Sequence, residues 1–252
     1  MSGHNKWSSI KHRKGAQDAK RSKVFTKLIK ELTVAARMGG DDVSANPRLR
    51  AAIAAGKAAN MPNDNVKRAI QKGAGGAKGD DYEGIIYEGY GPQNVAVIVE
   101  CLTDNRNRTV SNVRTIFNKN GGSMGSSNSV MFNFNQIGVI EVSKSAYGED
   151  EIMELAVDAG ALEIDLEGDE VYEVQTEMSD LHAVQSILEE KGVEVVKSSL
   201  VYQPVNKAEV DDVEQAQGIL RLLEALDDDD DVQDVFSNVD FSDEVLSKLD
   251  GE

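Results

Sequence analysis

The 252-residue sequence has one cysteine, four prolines and few aromatic residues, and it has no long hydrophobic run. The lone Cys101 excludes an internal disulfide framework, and this usage fits a reducing compartment. No segment approaches the roughly 20 apolar residues of a membrane-spanning helix. The N-terminal sequence MSGHNKWSSIKHRKG lacks the apolar segment of a secretory signal. We therefore expect a cytoplasmic protein with no membrane partner.

Residues that could support catalysis are also scarce. Three histidines and one cysteine leave few ways to place a nucleophile beside a base. His4 and His12 lie in a basic N-terminal segment, and His182 lies near the start of a predicted amphipathic helix, where a surface histidine is more common than a ligand. The acidic run 227–231 lacks the alternating ligands and the glycine of an EF-hand loop, so it predicts a solvated turn. The sequence thus predicts no enzyme, no cofactor and no metal site.

Positive charge is scarce over most of the chain and concentrated at one end. Residues 1–78 contain 17 Lys and Arg against 5 Asp and Glu, a net charge of +12. The rest of the chain has 10 of the 27 basic residues and 39 of the 44 acidic ones, a net charge of −29. Such asymmetry indicates that the basic end contacts nucleic acid, because charge acts locally within a Debye length of about 8 Å.

The candidate interface is a group of cations around one tryptophan. Lys and Arg neutralise phosphates, and a Trp ring can stack on an exposed base. The alternative is that Trp7 packs against the following helices while the lysines only keep the segment soluble. The predicted nucleic-acid-binding residues are Lys6, Trp7, Lys11, Arg13, Lys14, Lys20, Arg21, Lys23, Lys27 and Lys30.

A second basic group lies inside the acidic part of the chain. It consists of Arg106, Arg108 and Arg114, and the first two begin a predicted helix. Two interpretations are equally open. The arginines form a secondary binding site for a phosphorylated ligand, or they form ion pairs with the surrounding carboxylates.

Hydrophobic spacing predicts three helices behind the basic N-terminal segment. Apolar residues recur at helical spacing over 22–38, with lysines on the opposite side. Asn46 caps a second predicted helix, 47–59, which starts with proline. A third helix is predicted for 62–70, and Gly73 is predicted to end it. The glycine-rich stretch 73–79 predicts a linker, because it lacks the preceding strand and the Ser or Thr after lysine that a phosphate-binding loop needs.

Strand patterns follow the linker. We predict strands at 82–90 and 95–102, a helix at 106–119 and a short strand at 130–134. A complete βαββαβ unit of the ferredoxin-like type comes next. Its predicted elements are strand 139–142, helix 150–159, a hairpin of 162–166 and 171–176 that turns at Gly168-Asp169, helix 179–191 and strand 193–202.

A predicted helix at 209–226 and a strand at 232–235 would complete the domain that begins after the linker. The predicted fold class is therefore α+β, with a three-helix N-terminal domain and two mixed domains, one inserted into the other. The predicted domains are 1–78, a discontinuous domain of 79–135 plus 205–240, the inserted ferredoxin-like domain 136–204, and a tail at 241–252.

Three strings of the sequence carry a family resemblance: GHNKWSSIKHRKG near the start, then NMPNDNVKRAIQKG, then LTDNRNRT. Together they resemble the YebC/PmpR family, which includes the mitochondrial translational activator of cytochrome c oxidase. The resemblance covers essentially the whole chain and implies the same three-domain α+β fold. Asn128 stands where relatives usually have glycine, a substitution that fits a turn because asparagine tolerates a positive φ.

The resemblance implies a nucleic-acid-binding regulator of gene expression. Bacterial members are generally described as DNA-binding transcriptional regulators, and this is the favoured assignment. The first alternative is a translation factor that binds ribosomal RNA, because a basic arm with one aromatic residue suits structured RNA equally well. Two further alternatives are an enzyme whose phosphate-binding cleft lies between the mixed domains and an adaptor whose acidic domains bind a protein partner.

Overall fold

The computed structural model describes residues 18–75, 82–166 and 170–249. Its helices and strands, in chain order, are α1 (Asp18–Gly39), α2 (Pro47–Ala58), α3 (Asn63–Ala74), β1 (Glu83–Tyr90), β2 (Ala96–Thr103), α4 (Arg106–Lys119), β3 (Ser123–Met124), β4 (Phe134–Ser143), α5 (Glu149–Ala159), β5 (Glu163–Asp165), β6 (Val171–Glu177), α6 (Leu181–Glu190), β7 (Val195–Pro204), β8 (Ala208–Val210), α7 (Val213–Asp227), β9 (Val232–Ser237), β10 (Val239–Phe241) and α8 (Asp243–Leu249).

The first three helices form one unit around a small apolar core. The side chain of Asn46 caps α2 by accepting a hydrogen bond from the Leu49 N–H at 3.0 Å. Its amide also donates to the carbonyls of Ala35 and Gly40, which fixes the turn between α1 and α2. The fully buried Leu32 of α1 packs in this core. α1 packs against both α2 and α3.

Helix α3 is longer than the sequence predicted, and the prediction that Gly73 ends it was wrong. Gly73 lies inside α3, which continues to Ala74. A Cβ atom at Gly73 would lie 2.3 Å from the carbonyl oxygen of Thr33 in α1. The glycine therefore allows two helix backbones to approach closely and does not terminate the helix.

Two four-stranded sheets follow the helical unit. The first has the strand order β3-β1-β2-β9 and packs against α4 and α7. The second has the order β5-β6-β4-β7 and all its strand pairs are antiparallel. This is the order of a ferredoxin-like βαββαβ unit, whose helices are α5 and α6. Because β9 returns to the first sheet after the second is complete, the ferredoxin-like unit is inserted into the other mixed unit.

The fold class predicted from the sequence is confirmed, whereas several element boundaries were wrong. The segment predicted as a strand at 130–134 forms a 3₁₀ turn at Met131–Asn133, and β4 begins directly after it. The helix predicted from residue 209 begins at Val213, because Asp212 caps it and β8 pairs with β10. The predicted turn at Gly168-Asp169 lies outside the described residues. The exact domain limits stay a prediction.

None of the helices within the described residues is long and apolar enough to span a bilayer. α1 is the longest of them with 22 residues, but its lysines interrupt any apolar stretch.

Candidate nucleic-acid interface

The predicted interface residues fall into two groups. Seven lie outside what the structure describes, either as whole residues or by their side chains: Lys6, Trp7, Lys11, Arg13, Lys14, Lys20 and Arg21. The other three, Lys23, Lys27 and Lys30, lie on one face of α1 at i, i+4 and i+7 spacing. The sequence predicted that this face would be free to contact nucleic acid.

The structure places this lysine face against the acidic run 227–231, which begins with the last residue of α7. The contact joins parts of the chain about 200 residues apart. Among the described side chains, three salt bridges form it: Lys23–Asp228 at 3.2 Å, Lys27–Asp227 at 2.9 Å and Lys30–Asp231 at 2.7 Å.

Main-chain carbonyls strengthen the contact. The Nζ of Lys27 donates to the carbonyl of Asp227 at 2.7 Å, and the Nζ of Lys30 donates to the carbonyl of Asp230 at 2.6 Å. The last carbonyls of a helix lack partners within the helix and form the negative end of its dipole. Lys27 of α1 thus caps the C-terminal end of α7, and Lys30 binds the segment that follows it.

Asp231 is the most deeply buried member of the run, and the prediction of a solvated acidic turn was wrong for it. It is 3% exposed. Its carboxylate accepts hydrogen bonds from the Nζ of Lys30, from Nη2 of Arg108 and from the hydroxyl of Thr109, the last two at 2.8 Å. Burial alone would raise the pKa of Asp231, but the hydrogen bonds from Lys30, Arg108 and Thr109 outweigh burial and hold the pKa below its usual value.

The three arginines of the second basic group have different surroundings. Arg108 forms ion pairs with Asp231 and Asp104, each at 2.8 Å, and these hydrogen bonds raise the pKa of its guanidinium. The ion-pair interpretation therefore applies to Arg108. Arg106 and Arg114 are exposed on α4.

The helical unit has other exposed cations that the sequence analysis did not single out. Lys57 on α2 and the adjacent Lys67 and Arg68 on α3 are all exposed. Alternation of such residues with Val66 and Ala69, which are buried, gives α3 a strongly amphipathic pattern. That pattern was the signal that could have identified them.

A braced, exposed loop between β3 and β4 was also missed. The buried carboxylate of Glu88 accepts hydrogen bonds from the N–H groups of Asn128, Val130 and Met131 at 2.6 to 2.8 Å. Asn128 has a φ of 64°, as its position in a turn predicted. The loop leaves Phe132 77% exposed. No sequence periodicity reports a brace between residues 40 positions apart.

Groups that could act chemically are poorly placed for it. Burial, followed by the charges of Asp229 and Asp231, raises the pKa of Cys101 to about 12, so this thiol stays protonated at neutral pH. His182 is exposed on α6. Over residues 18–75, 82–166 and 170–249, no cluster of three or more His, Cys, Asp or Glu residues is arranged to hold a metal ion.

Comparison with known proteins agrees with this architecture of a basic helical unit followed by two mixed units. Residues 5–76 match the TACO1/YebC protein N-terminal domain, and residues 82–239 match the TACO1/YebC second and third domain. The chain therefore belongs to the TACO1/YebC family.

Its relatives are similar over their full length. A protein of Persephonella marina is 49% identical over 99% of this chain and 100% of its own, and one of Desulforapulum autotrophicum is 51% identical over the same shares. Both are described as probable transcriptional regulatory proteins. The crystal structure of a conserved hypothetical protein from Aquifex aeolicus is 44% identical, with a TM-score of 0.84 over 91% of this chain and 94% of that chain.

Proposed function

We propose that this protein is a non-enzymatic regulator of gene expression that binds nucleic acid, most consistently DNA, through its basic N-terminal part. The observation that carries the proposal is the net charge of +12 on residues 1–78 against −29 on the rest of the chain. Phosphate would be repelled by the acidic units and attracted by the helical one. The names of the relatives support a role in transcription.

The contact surface that we propose combines the N-terminal cations with exposed ones on the helices. Lys6, Lys11 and Lys14 supply charge ahead of α1, and Lys67 and Arg68 supply it on α3. Contacts of this kind neutralise phosphates without reading bases. Trp7 would add stacking on an unpaired base, which gives the alternative of a ribosomal RNA target a specific basis.

Charge reversal tests the proposal. We expect Lys6→Glu, Lys11→Glu and Lys14→Glu together to weaken binding of a fluorescent DNA duplex or RNA hairpin by about 100-fold at 0.15 M salt. Each lost phosphate contact lowers the number of counterions that binding releases, and this release favours binding. Fluorescence anisotropy with the full chain measures the affinity. The matched control reverses Lys119, Lys191 and Lys248, which changes the net charge equally within the acidic units.

Two results would count against the proposal. One is an affinity that falls equally in the control, which would indicate a non-specific charge effect. The other is wild-type protein that binds neither probe at physiological salt. Preference between the duplex and the hairpin separates the transcriptional assignment from the translational alternative.

A further inference from the structure

The acidic run 227–231 presents to α1 the same kind of groups that a nucleic-acid backbone presents. Three carboxylates and two carbonyl oxygens surround the ammonium groups of Lys23, Lys27 and Lys30. Lysine binds phosphate through these same N–H groups, as a point charge. The α1 lysines therefore already contact anionic oxygen supplied by the chain itself.

We propose that the run 227–231 is an internal phosphate mimic that occupies the α1 lysines and is displaced when nucleic acid binds to them. The contact is autoinhibitory, because in the closed arrangement three cations of the basic N-terminal part are paired with the run and are not available to nucleic acid. This inference rests on the proposed function, since the competing ligand is a nucleic acid. Separating α1 from the run costs free energy, and this cost lowers the apparent affinity of the protein for nucleic acid.

The graded burial of the contact gives displacement a starting point. The Lys23–Asp228 pair is the outer one, with side chains 41% and 55% exposed. The Lys30–Asp231 pair is the inner one, with side chains 11% and 4% exposed. A phosphate group can reach Lys23 without moving any element, and it weakens the contact from that end.

The acidic run also keeps its shape when α1 leaves. Asp231 is held by Arg108 and Thr109 of α4, neither of which belongs to the helical unit. The side chain of Asp229 accepts a hydrogen bond from the Asp231 N–H at 2.9 Å. The run is therefore a preformed surface that α1 can leave and rejoin.

The test removes charge from the mimic and leaves its shape. In the double variant Asp227→Asn, Asp228→Asn, the isosteric amides cannot pair with lysine as carboxylates do. We expect the full-length variant to bind a fluorescent DNA duplex or RNA hairpin about tenfold more tightly than wild type. The control, Asp211→Asn with Glu214→Gln, makes the same change in net charge at exposed positions near the other end of α7 and should stay within about twofold.

Each outcome decides the matter. If wild type binds and the double variant gains no more affinity than the control, the mimic is refuted while the proposed function stands. If neither protein binds either probe, the proposed function fails and the mimic fails with it. Should the double variant lose its cooperative melting transition, Asp228→Asn alone carries the test, because that pair is exposed, and an affinity equal to wild type refutes the mimic.

Linkage supplies an independent readout. If nucleic acid displaces the run, saturating duplex should increase carbodiimide labelling of the Asp227 and Asp228 carboxylates, which Lys27 and Lys23 otherwise cover, while it protects those two lysines from acetylation. Unchanged labelling of Asp227 and Asp228 in the bound wild-type protein would contradict the inference.

Discussion

At the scale of single residues, Asp231 is the group on which the contact between α1 and the run 227–231 depends. Its carboxylate pairs with Lys30 from the helical unit and with Arg108 from α4, so it joins two units that are distant in sequence. Removing one partner of a buried ion pair costs more than the pair contributes, because the remaining charges lose their compensation. The neighbouring Asp230 is exposed and contributes only its carbonyl to Lys30.

We expect Asp231→Ala to lower the free energy of unfolding by about 3 kcal/mol. Asp230→Ala preserves the carbonyl and should change it by less than about 0.5 kcal/mol. Urea unfolding followed by circular dichroism measures both variants. Equal effects of the two substitutions would show that Asp231 has no special role.

The pKa of Asp231 gives this contact a defined pH dependence. Because the pKa in the folded state lies below the ordinary value of 3.8, the contribution of Asp231 is present above about pH 4. It is lost as the pH falls through the folded-state pKa. Acid below about pH 4 should therefore weaken the contact between α1 and the run 227–231, whereas the contact is intact at neutral pH.

At the scale of elements, the packing of α1 on α3 depends on one missing methyl group. Gly73 lies inside α3, where alanine would be preferred by about 1 kcal/mol on helix propensity alone. The 2.3 Å approach to the Thr33 carbonyl opposes that preference, because a backbone atom cannot move aside as a flexible side chain can. Overpacking of this kind typically costs about 1–3 kcal/mol.

We expect Gly73→Ala to destabilise the protein by about 2 kcal/mol. Gly218→Ala in α7 is the matched helical control. Among the described residues its new Cβ would meet only Arg221, at an ordinary 3.7 Å, so the substitution should stabilise the protein by about 0.5–1 kcal/mol. Thermal unfolding of the two variants gives the sign of each effect. A stabilised Gly73→Ala protein would rule out the close helix contact.

Elements with strong local signals were predictable from the sequence, and contacts between distant segments were not. Helix α4 was predicted with its observed limits, because apolar residues recur within it at helical spacing and Asn120 with two glycines follows its end. The role of Gly73 was mispredicted, because the sequence alone does not distinguish a glycine that ends a helix from one that allows a second helix to pack closely. The partner of the lysine face lies 200 residues away, and no periodicity reveals it.

At the scale of the whole molecule, the acidic charge of the two mixed units brings carboxylates close together where these units meet the helical unit. Glu100 of β2 lies near Asp234 of β9 and Glu31 of α1. Burial, then the charges of Asp234 and Glu31, raises the pKa of Glu100 to about 7, and Arg48 only partly offsets them. The native state thus retains a proton at a pH where the unfolded chain has released it.

We expect stability to fall as the pH rises from about 5 to 7.5, by about 2 kcal/mol for Glu100. The sign follows because a raised folded-state pKa means that the native state binds more protons in this interval. Glu100→Gln should flatten this slope. Part of the slope will remain, because burial and the charge of Glu141 raise the pKa of Glu173 to about 7 as well. The exposed Glu209→Gln is the control. A slope unchanged by Glu100→Gln would contradict the assignment.

The measurement that tests the central claim most directly is ultraviolet crosslinking in growing cells. Both the DNA and the RNA recovered with the full-length protein are sequenced, and the crosslinked peptides are mapped. The account predicts crosslinked peptides from residues 1–78 and enriched promoter DNA, and ribosomal RNA enriched at a defined site would select the translational alternative. Crosslinks confined to residues 82–249, or no recovery above that of the Lys6→Glu, Lys11→Glu, Lys14→Glu variant, would contradict it.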